Sequence, residues 1–238
     1  MWIPRFRFVT AEAVAERFGI SVQRSRARLR RLERVGLLGS WRGHVSQAKT
    51  FWITGRGGQA VGQCRRRAPQ VTQARAHEGA IVALATRFEL DPRMAAGVVL
   101  TERQCRGRER SQTPDDERYS VEVFGRSRQD RRRWPDLVLE MDDRRIAVEL
   151  EFSPKYTPRL ADIVSGYRSS SYERVNFYVI SPRLGARIAK LAVDGRPLPG
   201  FPPPISRVPI RVLPWPGLDA GRGRRSGARS GPPADDRA

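Results

Sequence analysis

Between Trp134 and Phe152 hydrophobic and polar positions alternate along the chain. Leu137, Leu139 and Met141 alternate with Asp136, Val138 and Glu140; Ile146, Val148, Leu150 and Phe152 alternate with Arg145, Ala147, Glu149 and Glu151. Period two over this length predicts two β-strands. Pro135 presets an extended entry, and Asp142-Asp143 suits a two-residue hairpin loop. In that register Met141 pairs with Arg144 and Asp136 stands opposite Glu149. Both side chains then point to one face, with Cβ atoms about 5 Å apart. Glu151 occupies the next position on that face. A four-residue loop keeps all three together, whereas a three-residue loop does not. After the hairpin, Leu160, Ile163, Val164 and Tyr167 line one side of a helix over Pro158–Tyr167. A central strand over Val175–Ile180 and a helix over Arg183–Val193 follow. Ile205–Leu213 reads as an interrupted edge strand, because Pro209 cannot donate to a ladder.

The N-terminal third has helical periodicity. Thr10 caps a helix through Phe18 with Ala13, Val14 and Phe18 inward, and Gly19 ends it. Ser21 caps a second helix to about Val35, with Val22, Ser25, Leu29, Leu32 and Val35 inward. Its outer face carries Gln23, Arg24, Arg28, Arg30, Arg31 and Arg34. Leu37-Leu38 starts a hairpin that passes Arg42 and returns through Lys49–Thr54. A basic linker at 64–73 precedes a helix over Gln73–Phe88, whose inner stripe is Ala74, His77, Ile81, Leu84 and Phe88. His77 on this stripe reads as a packed, hydrogen-bonded residue. Strands are expected at Ala95–Leu100 and Tyr119–Phe124, with a polar loop at 106–118 between them. No internal repeat is visible.

Charge sharpens this picture. The chain has 238 residues and a formal net charge of +20. Only Lys49, Lys155 and Lys190 are lysines; the rest of the positive charge is arginine. Residues 1–70 hold 15 Lys/Arg against 3 Asp/Glu, whereas residues 135–163 hold 4 against 7. A basic module beside an acidic pocket is the footprint of a nucleic-acid binder with a candidate cation site. A basic run, Arg126–Arg133, stands directly before Asp136 and is placed to lead a phosphate backbone toward the acids. Cys64 and Cys105 give no disulfide framework, and with His44 and His77 as the two histidines they give no zinc spacing. No signal peptide or membrane span is read from the sequence, so a cytoplasmic location is expected. The Gly/Arg/Pro-rich stretch 221–238 is expected to be disordered.

The order helix–Gly-Ile-Ser–helix–Val-Gly-Leu-Leu–hairpin–Ile-Thr-x-x-Gly resembles bacterial winged helix-turn-helix proteins. The resemblance implies that the second helix reads DNA through Gln23, Arg24, Arg28, Arg30, Arg31 and Arg34, with Arg42 and Lys49 on the wing. The Pro135-Asp136 strand start and the Glu149-x-Glu151 strand resemble the PD-(D/E)XK nuclease-like superfamily. That resemblance implies Asp136, Glu149 and Glu151 as catalytic positions and Asp136 and Glu149 as ligands of Mg²⁺. The superfamily's lysine is Glu151 here; Lys155 could substitute only if the chain curls back, and Glu102 is a further candidate acid. Taken together, the winged helix, the linking helix, the Trp-Pro-Asp…Val-Glu-Leu-Glu motif and the tyrosine-bearing helix resemble the replication-relaxation family over about residues 5–195. Such proteins occur on actinobacterial plasmids and integrative elements.

The expected fold is therefore α+β or α/β. A winged helix-turn-helix at 1–62 is followed by a linker and connecting helix at 63–92, a mixed-sheet nuclease-like domain at 93–214 and a disordered tail from 215. The expected function is DNA binding in replication, relaxation or transfer of a mobile element, with a nuclease-like domain that has lost or repurposed its chemistry. An active Mg²⁺-dependent endonuclease or nickase and a winged-helix transcriptional regulator are the alternatives. Expected partners are double-stranded DNA, a second copy of the chain and replication or transfer proteins, with no membrane.

Overall fold

The computed structural model describes residues 2–42, 48–62, 75–111, 113, 118–123, 132–142, 144–152, 157–194 and 208–215. Lys155, the linker at 64–73, residues 126–131 of the basic run and the stretch 221–238 lie outside them. The described residues form a mixed α+β structure. Helices α1 (Ala11–Phe18) and α2 (Val22–Arg34) accompany a three-stranded sheet of β1 (Val9–Thr10), β2 (Leu38–Trp41) and β3 (Thr50–Ile53), in order β1-β3-β2. The caps act as the sequence requires. Thr10 accepts from the Ala13 N–H and Ser21 from the Arg24 N–H, each at 3.2 Å. Gly19 closes α1 in the left-handed region at φ 60°.

Two inward assignments shift. Phe18 and Val35 are largely exposed, and Ala11 and Ala15 are buried instead. Phe18 still rests edge-on against Trp2, 6.0 Å between ring centroids. A short helix α3 (Gly55–Ala60), not expected from the sequence, follows the hairpin and is capped by Thr54. A Cβ on Gly57 would lie 2.1 Å from the Leu37 carbonyl oxygen, so only glycine lets α3 sit this close to the backbone that leads into β2.

Helix α4 (Arg75–Leu90) precedes a five-stranded sheet of β4 (Val98–Thr101), β7 (Leu137–Met141), β8 (Arg144–Glu151), β9 (Arg174–Val179) and β10 (Ile210–Pro214), in order β10-β9-β8-β7-β4. β5 (Val121–Glu122) and β6 (Arg132–Arg133) pair antiparallel as a separate two-stranded sheet. The β4–β7 and β7–β8 pairs are antiparallel; β8–β9 and β9–β10 are parallel, linked through α6 (Thr157–Arg168) and α7 (Pro182–Asp194). The expected hairpin register holds. Met141 pairs with Arg144, and Asp142 takes the φ of +51° that a two-residue hairpin loop demands. β9 lies inside the sheet and β10 at its edge, as expected.

Residues 106–111 of the expected loop at 106–118 belong instead to helix α5 (Glu102–Ser111). Its sequence reads as loop because only Cys105 is buried, leaving no apolar stripe to count. An i,i+4 pair between Glu102 and Arg106 supports it from the surface. The expected strand at 119–124 contracts to the two residues of β5, and that at 95–100 moves to β4 behind a 3₁₀ turn at Pro92–Met94.

Both faces of the five-stranded sheet are covered. On one, Leu137, Leu139, Ile146, Val148 and Leu150 meet Ile81, Leu84 and Ala85 of α4. The same core continues through α4 to Val14, Leu29, Leu38 and Phe51 of the N-terminal module. On the other, Val138, Ala147 and Phe177 meet Leu160, Ile163, Val164 and Tyr167 of α6 and Leu184 and Ile188 of α7. Helix α4 is thus a layer between two sheets. The outer edge of β4 is covered by the N-terminal segment: an Arg5 Nη donates to the Val99 carbonyl, and Thr101 Oγ1 donates to the Arg5 carbonyl at 3.3 Å.

Candidate functional site

Asp136 sits one residue before β7, where that strand's ladder against β8 has not yet begun. The Leu150 N–H of β8 therefore lacks a backbone partner, and a buried donor must find one. Asp136 Oδ2 accepts from it at 2.8 Å. The carboxylate thus extends the ladder. His77 Nε2, from α4, lies 3.3 Å from the same oxygen and 3.0 Å from the Leu150 carbonyl. The His77 ring meets Phe152 edge-on at 5.8 Å. The expectation of a packed, hydrogen-bonded His77 agrees with this, although its partner was not legible.

Glu149 is 1 % exposed, and its partners come from the opposite face of the sheet. Arg133 of β6 donates from Nη2 to Oε2 at 2.6 Å and from Nε to Oε1 at 3.2 Å. The Tyr167 hydroxyl of α6 donates to Oε1. Gly166 makes this approach available, since a Cβ there would lie 2.4 Å from the Glu122 carbonyl oxygen of β5. Glu151 is buried two residues on along β8 and is also engaged within the protein. The carboxylates of Asp136 and Glu149 are therefore drawn to partners on different sides, although the strand register relates them as expected. Register fixes the Cβ atoms; partner donors decide where the carboxylates go.

Electrostatics agree with this division. Burial raises the Asp136 carboxyl, and the Glu149 charge raises it further, against the lowering contributions of His77 and the Leu150 N–H. Burial raises the Tyr167 hydroxyl, and Glu149 adds to the effect. The Glu149 charge holds the Arg133 guanidinium in its charged form more firmly still. Burial lowers His77, but the Asp136 bond and charge, the Leu150 carbonyl and Glu78 outweigh it, raising the imidazole to about 9. Glu78, beside His77 on α4, is raised by burial and steadied by Arg7 at 3.5 Å. Sequence reasoning missed Glu78, whose only signal was adjacency to His77. The Glu102 N–H donates to the Asp136 carbonyl at 3.2 Å, so α5 starts beside this site.

The His77 shift makes stability depend on pH. The folded-state value lies above the ordinary 6.5, so this contribution is complete below about pH 6.5 and is lost as pH rises through about 9. The expected loss is on the order of 1–2 kcal/mol, because a partly exposed ring is screened by solvent. Urea midpoints on either side of that window should fall with pH for the native chain. In His77→Gln the fall should be much shallower; an equal fall would remove His77 as its cause.

The second candidate surface is the outer face of α2. Gln23, Arg24, Arg28, Arg30, Arg31 and Arg34 are all exposed, as is Arg42 beyond β2. Among the described residues, no ion pair engages Arg24, Arg28, Arg31 or Arg34, whereas Arg26 is held by Glu12 at 2.9 Å. Lys49 is half-buried, and its Nζ pairs with Glu33 at 2.8 Å, so much of its charge is satisfied within the protein. Ala27, Arg30, Glu33, Arg34 and Lys49 line an open cleft of about 550 Å³.

The Mg²⁺ implied by the nuclease-like resemblance does not fit the described residues. Both Glu149 oxygens and Asp136 Oδ2 are taken by protein donors. Among the described residues no cluster of three His, Cys, Asp or Glu side chains is arranged to hold a metal ion. No helix among them is long and apolar enough to cross a membrane. These features define a mixed α+β protein with an exposed arginine-bearing helix and a buried, internally paired acidic centre. No protein-family model, no curated protein and no solved structure matches the chain.

Proposed function

We propose that this chain binds double-stranded DNA through the outer face of α2, as a replication-relaxation-like accessory factor of a plasmid or integrative element. The observation that carries the reading is a capped, 13-residue helix whose solvent face presents arginines without carboxylate partners among the described residues. Arginine reads guanine edges and phosphates bidentately. The α1–α2–β2–β3 order, with β1 completing a small sheet, supports a winged-helix reading of this module. The β7–β8 hairpin followed by α6 and β9 supports a nuclease-like ancestry for the second. The replication, relaxation or transfer role rests on the sequence resemblance. Metal-dependent nicking has weaker support, because the acids that would hold the cation are engaged by the protein itself.

Arg24→Ala with Arg28→Ala tests the DNA reading. Binding should weaken by about 1–3 kcal/mol for each arginine that reads a base edge, and less for each that touches only phosphate. Affinity of the native chain should fall steeply with salt as counterions are released, and the double variant should show a shallower slope. A low-salt mobility-shift titration in which the double variant binds as tightly as the native chain would remove α2 as the reading helix.

A further inference from the structure

We infer that Asp136 and Glu149 form an internally neutralised clamp that fixes α4, β6 and α6 onto the sheet, in the place where the nuclease-like resemblance puts a divalent cation. This goes beyond the DNA-binding reading and does not depend on it.

A hard divalent cation needs several oxygens free to face one point, at about 2.0–2.6 Å. Glu149 Oε2 already accepts from Arg133 at 2.6 Å, and Oε1 accepts from Arg133 and from Tyr167. A guanidinium fork satisfies a carboxylate in two directions at once and brings its own positive charge. An approaching cation would therefore meet a like charge held against the oxygen it seeks. To admit it, Arg133 would have to leave a carboxylate that is 1 % exposed. On the other side, taking Asp136 Oδ2 would orphan the Leu150 N–H, a buried backbone donor.

Each of these bonds also ties one element to another. Arg133 joins β6 to β8, Tyr167 joins α6 to β8, and Asp136 with His77 joins β7, β8 and α4. The acidic residues thus have a positioning role that accounts for their burial without a metal.

The test uses Mn²⁺ as the probe and the full chain. Titration followed by electron paramagnetic resonance should show no saturable site on the native protein at millimolar Mn²⁺, and its Tm should not move with the metal. In His77→Gln with Arg133→Met the cationic partners are gone and only the neutral donors Leu150 N–H and Tyr167 remain, so this variant should bind Mn²⁺, starting at a lower Tm that rises with the metal. A saturable site on the native chain that disappears in Asp136→Asn would overturn the inference. So would Mn²⁺-dependent nicking of supercoiled plasmid by the native chain that Asp136→Asn abolishes. Should the double variant fail to fold, the native titration decides alone. Mobility shifts without metal report on α2 separately, so a failure of the clamp and a failure of the DNA-binding reading are distinguishable.

Discussion

Arg133→Met is expected to lower folding stability by about 3–5 kcal/mol, the cost of leaving a buried charge without its partner. Glu149 has no solvent to turn to at 1 % exposure, and the Tyr167 hydroxyl is a neutral donor that cannot replace the guanidinium charge. Methionine keeps much of the aliphatic stem, so the loss measures charge more than packing. Adding Glu149→Gln should return most of it. The amide oxygen still accepts from Tyr167, and no charge remains to strand. Urea unfolding of the native chain and the three variants forms a double-mutant cycle. If the double variant is no more stable than Arg133→Met, the pair is not the source of the loss.

Glu89→Ala should cost about 2–4 kcal/mol, although an acid in the last turn of a helix opposes the helix dipole. The reason lies in its partners. Trp2 Nε1 donates to Glu89 at 3.0 Å, Arg17 Nε donates at 2.6 Å, and Arg5 pairs with its other oxygen. The side chain is 10 % exposed, so these bonds are shielded from competing water. One carboxylate therefore holds the N-terminal segment and α1 against α4. Glu12→Ala is the matched control. Its pair with Arg26 is exposed on both sides, and removing it should cost under about 1 kcal/mol. Equal losses from the two variants would show that Glu89 is an ordinary surface acid. Amide exchange should also accelerate around Phe6 and Phe8 in Glu89→Ala and remain unchanged in Glu12→Ala.

What the sequence made legible is set by where local rules govern. Period two and the Asp142-Asp143 turn gave the hairpin register, because a one-residue slip would misplace every side chain of two buried faces. Thr10, Ser21 and Gly19 marked helix ends, because capping is decided within four residues. Helix α5 was hidden because its support is a salt bridge and one buried cysteine. The direction of the Asp136 carboxylate was hidden because it answers to an N–H fourteen residues away and an imidazole on another helix. Arg133 read as the end of a basic run facing phosphates; its partner Glu149 could be found only once β6 had a place.

The core that runs unbroken from Phe51 through Leu84 to Val148 has a mechanical consequence. Two modules strung on a slack tether would search DNA independently and melt at separate temperatures. With a helix common to both, they act as the fixed jaws of a caliper. On the proposed DNA-binding reading, duplex held by α2 would present the same stretch to the second module at every encounter. Heating should then open both jaws in one transition, and cutting the chain after residue 62 should deprive each half of a wall it cannot replace.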